Sequence, residues 1–236
     1  MGKDRLKALI FDLDGTLADT EEAHRQAFNE AFAAAGLDWR WDSPLYRRLL
    51  GVAGGKERIL AFAPGTPASQ VADLHAEKTR RYTALMAAGK VELRPGIRDL
   101  LDEAKASGLK LGLATTTSRA NIEALLAAHF PQGSPFCLIL AGEDVANKKP
   151  DPEIYRIALA KLGVAAGEAL AIEDSEAGLL AANGAGMACL ITVNAWTEGG
   201  DFKAALSVLP SLTGVRLAGL QALLADGRGD GAPPAP

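Results

Sequence analysis

Five stretches of the chain are almost uninterruptedly apolar: KALIFD (7–12), LKLGLATT (109–116), FCLILAG (136–142), ALAIE (169–173) and MACLITV (187–193). Short runs without polar alternation are expected of strands covered on both faces. The segments between them carry apolar residues at helical spacing. In 98–108, Leu100, Leu101 and Ala104 share a stripe that ends at Gly108, and 121–130 behaves in the same way. In 152–163, Pro152 stands near the first turn and Gly163 at the C-cap. Strand alternating with helix predicts an α/β fold with a doubly wound, Rossmann-like parallel sheet, whose ligands bind outside the carboxyl ends of the strands.

The rhythm breaks once. Between about residues 19 and 92 no strand pattern occurs, and helical periodicity runs through 20–36 and 68–89, with shorter pieces near 43–51 and 55–62. This predicts an all-helical insert after the first strand, at 19–92, in a core formed by 1–18 and 93–226. The tail GRGDGAPPAP (227–236) is too rich in Gly and Pro to bury a core and is expected to be disordered. The uncharged stretch 177–196 is long enough to span a bilayer. Gly178, Asn183, Gly184 and Gly186 interrupt it, so it reads as helix, turn and buried strand.

Composition narrows the class. Apolar residues are 48% and charged residues 23% of the 236, which excludes disorder for the bulk of the chain. A formal net charge of −4 gives no basic footprint for nucleic acid or an anionic membrane. Cys137 and Cys189 both sit in apolar runs, so no disulfide framework is expected, and two reduced, buried thiols point to the cytoplasm. The opening MGKDRLK is followed by an apolar stretch that stops at Asp12, which is too short for a secretory leader. No extended apolar patch demands a partner, so a monomer is expected.

The polar residues that follow the strands carry the chemistry. After the first comes Asp12-Leu13-Asp14-Gly15-Thr16, where two carboxylates two residues apart suit a hard cation such as Mg²⁺, and Gly15 permits a sharp turn. A helix-capping Asx turn is the plain alternative. After the second come Thr115, Thr116, Thr117 and Ser118, which suit an anion at a helix start or a simple N-cap. After the third comes Lys148-Lys149-Pro150. The proline biases Lys149 toward extended backbone, whereas Lys148 reads as a solvated loop residue. After the fourth comes Glu173-Asp174-Ser175, either the rest of a metal site or another N-cap.

Taken in order, DLDGTL, LATTTS, KKPDPEIY and IEDSEAG resemble the haloacid dehalogenase superfamily of phosphotransferases, and the helical insert lies where that family carries its cap. The resemblance implies that Asp12 is the nucleophile that becomes an aspartyl phosphate and Asp14 the general acid and base. It implies Mg²⁺ held by the Asp12 carboxylate, the Asp14 carbonyl and Asp174, with Glu173 nearby, and phosphoryl oxygens bound by Thr115 and Lys149.

In the cap, the same resemblance implies that Glu21 and His24 face the substrate, although His24 shares a stripe with Ala27, Phe28 and Ala31 and reads equally as a packed histidine. Tyr46 follows, then Gly54-Gly55 ahead of Lys56, which suits a second phosphate or an ordinary solvated helix start. Lys78 and Arg81 share one face of a later helix, and Thr116, Thr117, Ser118 and Arg119 are further candidates for a distal phosphate. The stretches RQAFNEAFAAAGLDWRWD, GGKERI and ATTTSRANIEALL resemble the CbbY-type phosphatases. That family removes the C1 phosphate of xylulose 1,5-bisphosphate, a Rubisco inhibitor, in organisms with a Calvin cycle. The cap also resembles that of β-phosphoglucomutase, and phosphoglycolate phosphatase is a third relative. Thr16 in the turn favours hydrolysis. A phospho-receiver module would share the sheet, Asp, Lys and Mg²⁺, but needs neither the second Asp nor a cap.

Overall fold

The computed structural model describes residues 6–52 and 54–226. The chain runs from β1 (Ala8–Phe11) through α1 (Glu21–Ala34), α2 (Ser43–Leu49), α3 (Gly55–Phe62) and α4 (Ala68–Ala87). It continues through α5 (Ile97–Ala106), β2 (Lys110–Ala114), α6 (Arg119–His129), β3 (Leu138–Leu140) and α7 (Glu153–Leu162). It ends with β4 (Ala169–Glu173), α8 (Glu176–Gly184), β5 (Ala188–Thr192), β6 (Ser207–Leu209) and α9 (Leu217–Asp226). Two compact units result: one contains the chain up to Asp19 and from Glu92 onward, the other Thr20–Val91.

The first unit is built on a parallel six-stranded sheet in the order β3-β2-β1-β4-β5-β6, the doubly wound α/β arrangement. Phe11 of β1 is level with Leu113 of β2 and with Ile172 of β4, so the residues that follow, Asp12, Ala114 and Glu173, emerge side by side. Strand order reverses between β1 and β4, and the crevice at such a reversal is where ligands bind. Every residue of β1 and β4 is buried, which is why both read as unbroken apolar runs. On α5, Ile97, Leu100, Leu101 and Ala104 form the buried stripe. On α7, Ile154, Tyr155, Ala158, Leu159 and Leu162 pack into the core beside β4 and β5 residues. Gly163 ends that helix at φ 63°, a left-handed cap that an L side chain resists.

The edges depart from the sequence reading. The third apolar run shortens to β3, where only Leu140 is buried, and Cys137 is exposed rather than buried, because an edge strand has one neighbour to cover it. Its thiol lies 3.3 Å from the Leu111 carbonyl. Cys189 is buried as expected. The three-residue β6 and the helix α9 carried no recognised pattern. Both thiols are free. No described helix is long and apolar enough to cross a membrane. The expected disorder of 227–236 concerns residues outside the described ones.

The second unit is helical. Its centre is Trp41, whose ring lies 4.5 Å from Phe28, 5.0 Å from Phe32 and 5.7 Å from Phe62 by centroid. Asn29 brackets the Trp41 backbone, donating to its carbonyl and accepting from its N–H. Asp42 caps α2 through the Leu45 N–H. The buried faces of α1 and α4 supply Phe28, Ala31, Leu74 and Tyr82.

Candidate active site

Asp12 leaves β1 with its N–H still bonded to the Ile172 carbonyl, so its side chain is aimed by sheet register. The turn after it folds back at Gly15, φ 79°, where an added Cβ would collide with the Asp174 carboxylate. That contact requires glycine twice over, for its backbone and for its size.

A buried ion-pair network joins three strand ends. Lys149 Nζ donates to Asp12 Oδ1 at 2.7 Å, Glu173 Oε1 at 2.6 Å and the Ala114 carbonyl at 2.8 Å. All three side chains are less than one-tenth exposed. The Lys149–Pro150 peptide is cis. Glu173 Oε1 also accepts from Tyr155 at 2.7 Å, and Oε2 from the Asp174 N–H and the Ser175 hydroxyl. The Lys149 ammonium stands 5.0 Å above the Tyr155 ring centroid. At the start of α8, a Cβ on Gly178 would collide with the Glu173 carboxylate, so the helix approaches it as closely as backbone can.

Burial pushes the Asp12 carboxyl up, to about 7; Lys149 opposes this, and Glu173 and Asp14 add to it. Burial works to lower the Lys149 pKa, but Asp12 and Glu173 prevail and raise it. Oxygens of Asp12, Glu173 and Asp174 lie within 4.8 Å of one another. An all-oxygen, buried set with more carboxylates than ammonium groups fits a hard divalent cation.

Thr115 is buried; its hydroxyl oxygen accepts from the Thr117 N–H at 3.3 Å. Thr117 in turn accepts from Asn121, and Ser118 serves as the N-cap of α6. Thr116, Thr117 and Ser118 are half-buried. Arg119 is paired with Asp144 at 2.5 Å. Asp14 is half-buried, and Lys148 is exposed, as a solvated loop lysine would be.

The helical unit gathers its candidates into two groups. Tyr46 donates to Glu21 Oε2 at 2.9 Å, and its hydroxyl accepts from Arg58 at 3.4 Å. His24 stacks on Tyr82 with centroids 3.8 Å apart, and its Nδ1 lies 2.7 Å from Lys78 Nζ. Lys78 is buried, with its ammonium over the Phe28 and Tyr82 rings. Lys56 is exposed in the first turn of α3, after Gly54 at φ 95°. Arg81 stands apart from both groups, bonded to Glu77 and Glu30.

Sequence reasoning passed over Tyr155, Arg94 and Asn194. Tyr155 lies within the helical segment 152–163, where its spacing did not set it apart from its neighbours. Arg94 is buried and donates to the carbonyls of Gly15, Thr192, Val193 and Pro210, and a charged residue just before Pro95-Gly96 was its only signal. Asn194 has no local signal; it donates to the Gly15 carbonyl and to Asp174.

The chain matches the haloacid dehalogenase-like hydrolase family over residues 9–192. It is 52% identical to protein CbbY of Rhodobacter capsulatus over 214 residues, covering 88% of this chain and 94% of that one. A crystal structure of CbbY from Rhodobacter sphaeroides in complex with xylulose-(1,5)bisphosphate superposes with a TM-score of 0.83 at 50% identity, covering 91% of this chain and 99% of that one. β-Phosphoglucomutase from Clostridium difficile gives 0.76 at 26% identity, covering 94% and 98%. With strand ends, family match and half-identical relatives in agreement, this chain belongs to the haloacid dehalogenase-like hydrolases.

Proposed function

We propose that this protein is a Mg²⁺-dependent sugar-bisphosphate phosphatase that converts xylulose 1,5-bisphosphate to xylulose 5-phosphate and phosphate through an aspartyl phosphate on Asp12. The observation that carries the chemistry is the buried Asp12–Lys149–Glu173 network beside Asp174. Half-identity with a CbbY solved with xylulose-(1,5)bisphosphate supports the substrate. In this reading the core is 1–18 with 93–226, and residues 19–92 serve as its cap.

An Asp12 carboxylate oxygen forms a bond to phosphorus while the bond from phosphorus to the C1 oxygen breaks. Asp14 gives a proton to that leaving oxygen. It then takes a proton from the water that attacks the aspartyl phosphate, releasing phosphate and restoring Asp12. Lys149 favours the ionised form of Asp12, opposing the burial that favours the protonated one, and with Thr115 binds the transferring oxygens. Asp12, the Asp14 carbonyl and Asp174 would hold Mg²⁺, which would supply positive charge against the anionic oxygens. Glu173 has both oxygens occupied within the protein, which favours a role in placing Lys149 over direct ligation. Glu21, His24, Tyr46, Gly54, Lys56 and, less directly, Arg81 and Thr116–Ser118 are the candidates for binding the sugar and its second phosphate.

The likeness to β-phosphoglucomutase favours a second reading, in which Asp12 returns the phosphoryl group to a sugar hydroxyl. Phosphate release with Mg²⁺ is to be measured on xylulose 1,5-bisphosphate, ribulose 1,5-bisphosphate, β-glucose 1-phosphate and phosphoglycolate, with Asp12→Asn as the blank. Preference for xylulose 1,5-bisphosphate, lost in the blank, is expected. Isomerisation of the glucose phosphate, or faster release from phosphoglycolate, would overturn the substrate assignment.

A further inference from the structure

We propose that Asn194 is a positioning residue that holds the Asp174 carboxylate against the Asp12–Asp14 turn and thereby sets the affinity for the divalent cation. The inference rests on the assignment of Asp174 to that cation.

Asn194 lies two residues beyond β5. Its Oδ1 accepts from the N–H groups of Trp196 at 2.8 Å and Thr197 at 3.1 Å, closing a short turn. The Thr197 hydroxyl accepts from the Asn194 N–H at 3.1 Å and reinforces it. Two donors on one end of the amide fix that end as oxygen. The NH₂ end faces the site and donates to Asp174 Oδ2 at 2.8 Å and to the Gly15 carbonyl at 3.1 Å. One side chain thus ties the metal-side carboxylate to the turn that carries Asp12 and Asp14.

The frame around this bridge is stiff. The Gly15 carbonyl also accepts from Arg94 Nη1 at 2.7 Å, and the same guanidinium holds the carbonyls of Thr192 and Val193, the two residues before Asn194. Arg94 therefore fixes both abutments, and the amide passes that rigidity to Asp174. Gly15 and Asp174 are in direct contact, so a small swing of the carboxylate is felt by the turn. Donors that orient ligating carboxylates tune metal affinity without touching the metal.

The test is the thermal midpoint as a function of MgCl₂ concentration, alongside Mg²⁺ half-saturation of turnover. Asn194→Ala and Asn194→Ser are compared with wild type, Thr197→Ala and Asp174→Asn. Serine still accepts from the N–H two residues on, and so keeps the turn should alanine unfold it, but it cannot span Gly15 and Asp174. Both Asn194 variants are expected to need roughly 10-fold or more Mg²⁺ for the half-maximal shift and for half-maximal rate. At saturating Mg²⁺ the sugar-phosphate KM should stay within about twofold of wild type. Thr197→Ala, which loosens the same turn and leaves the amide in place, should keep the wild-type Mg²⁺ response.

An unchanged Mg²⁺ response in the Asn194 variants, with the response lost in Asp174→Asn, would overturn the proposal alone. An equal shift in Thr197→Ala would reduce Asn194 to a loop residue and overturn it as well. A wild-type response in Asp174→Asn would remove the cation assignment and the proposal with it.

Discussion

Tyr155 donates its phenolic hydrogen to Glu173 Oε1, the same oxygen that accepts from Lys149. Its ring also lies beneath the Lys149 ammonium. A residue that looks like core packing on α7 therefore holds both members of the pair facing Asp12. Tyr155→Phe keeps the ring and removes the donor, and a hydrogen bond to a charged group contributes about 1.5–3 kcal/mol. We expect a stability loss of that order by urea unfolding and a lower kcat at unchanged KM. A wild-type kcat would show that Lys149 alone places Glu173.

Replacing Lys149 by Met leaves Asp12 and Glu173 buried and facing each other without their cation. Removing one partner of a buried pair costs about 3–5 kcal/mol at neutral pH. Loss of a preorganised positive donor should lower kcat by roughly 10²–10³-fold or more. The Asp12 carboxyl is already raised to about 7 with Lys149 opposing the rise, and without it the rise is larger. Below about 7 both folded proteins hold a proton that the unfolded chain releases, but above it only the variant still does, so its stability deficit should grow as pH rises above 7. Denaturation at several pH values measures this, and a deficit independent of pH would contradict it.

Arg94 is a buried cation satisfied by backbone carbonyls, with burial lowering its pKa and Asp174 and Asp19 opposing that. Arg94→Met deprives four carbonyls of their donor, and each unsatisfied buried group costs about 1–3 kcal/mol. A loss of at least about 3 kcal/mol is expected from the sum of such terms. Arg94→Lys should recover part of it. Guanidinium unfolding reads the difference, and a loss near zero for Arg94→Met would mean that water replaces the guanidinium.

His75, in the helical unit, has its pKa lowered by burial first and then by Lys78 and Lys56. The unfolded chain binds this proton more tightly than the folded one. Stability is therefore full above the ordinary value of 6.5 and is lost as pH falls below it toward the depressed folded value. His75→Gln should flatten the dependence of the melting midpoint on pH below 6.5. Parallel curves for the two proteins would contradict the assignment.

Much of this was legible in the sequence because buried parallel strands announce themselves. β1, β2, β4 and β5 are buried on both faces and read as apolar runs, so the polar residues that follow β1, β2 and β4 stand out against them. Asp12, Glu173 and Asp174 stood out in this way, and the register of β1 and β4 brings them together; Lys149 stood out by the proline after it, and its loop carries it to Asp12 and Glu173. β6 was missed because three edge residues, none of them buried, carry no pattern, and Cys137 was misplaced because its edge strand is covered on one side only. Tyr155, Arg94 and Asn194 escaped because they act on partners 18, 79 and 20 residues away, a relation the sheet creates and local patterning does not record. In the helical unit, His24 shows the packed one of its two readings: it stacks on Tyr82 and meets Lys78.

The proposed reaction requires that Asp12 carry the phosphoryl group. The direct measurement is rapid acid quench of enzyme and Mg²⁺ with C1-phosphate-labelled xylulose 1,5-bisphosphate, followed by mapping of the labelled peptide. Label is expected on Asp12, forming and clearing at rates consistent with turnover, and none in Asp12→Asn. Full phosphate release with no labelled Asp12, or turnover that survives Asp12→Asn, would contradict it.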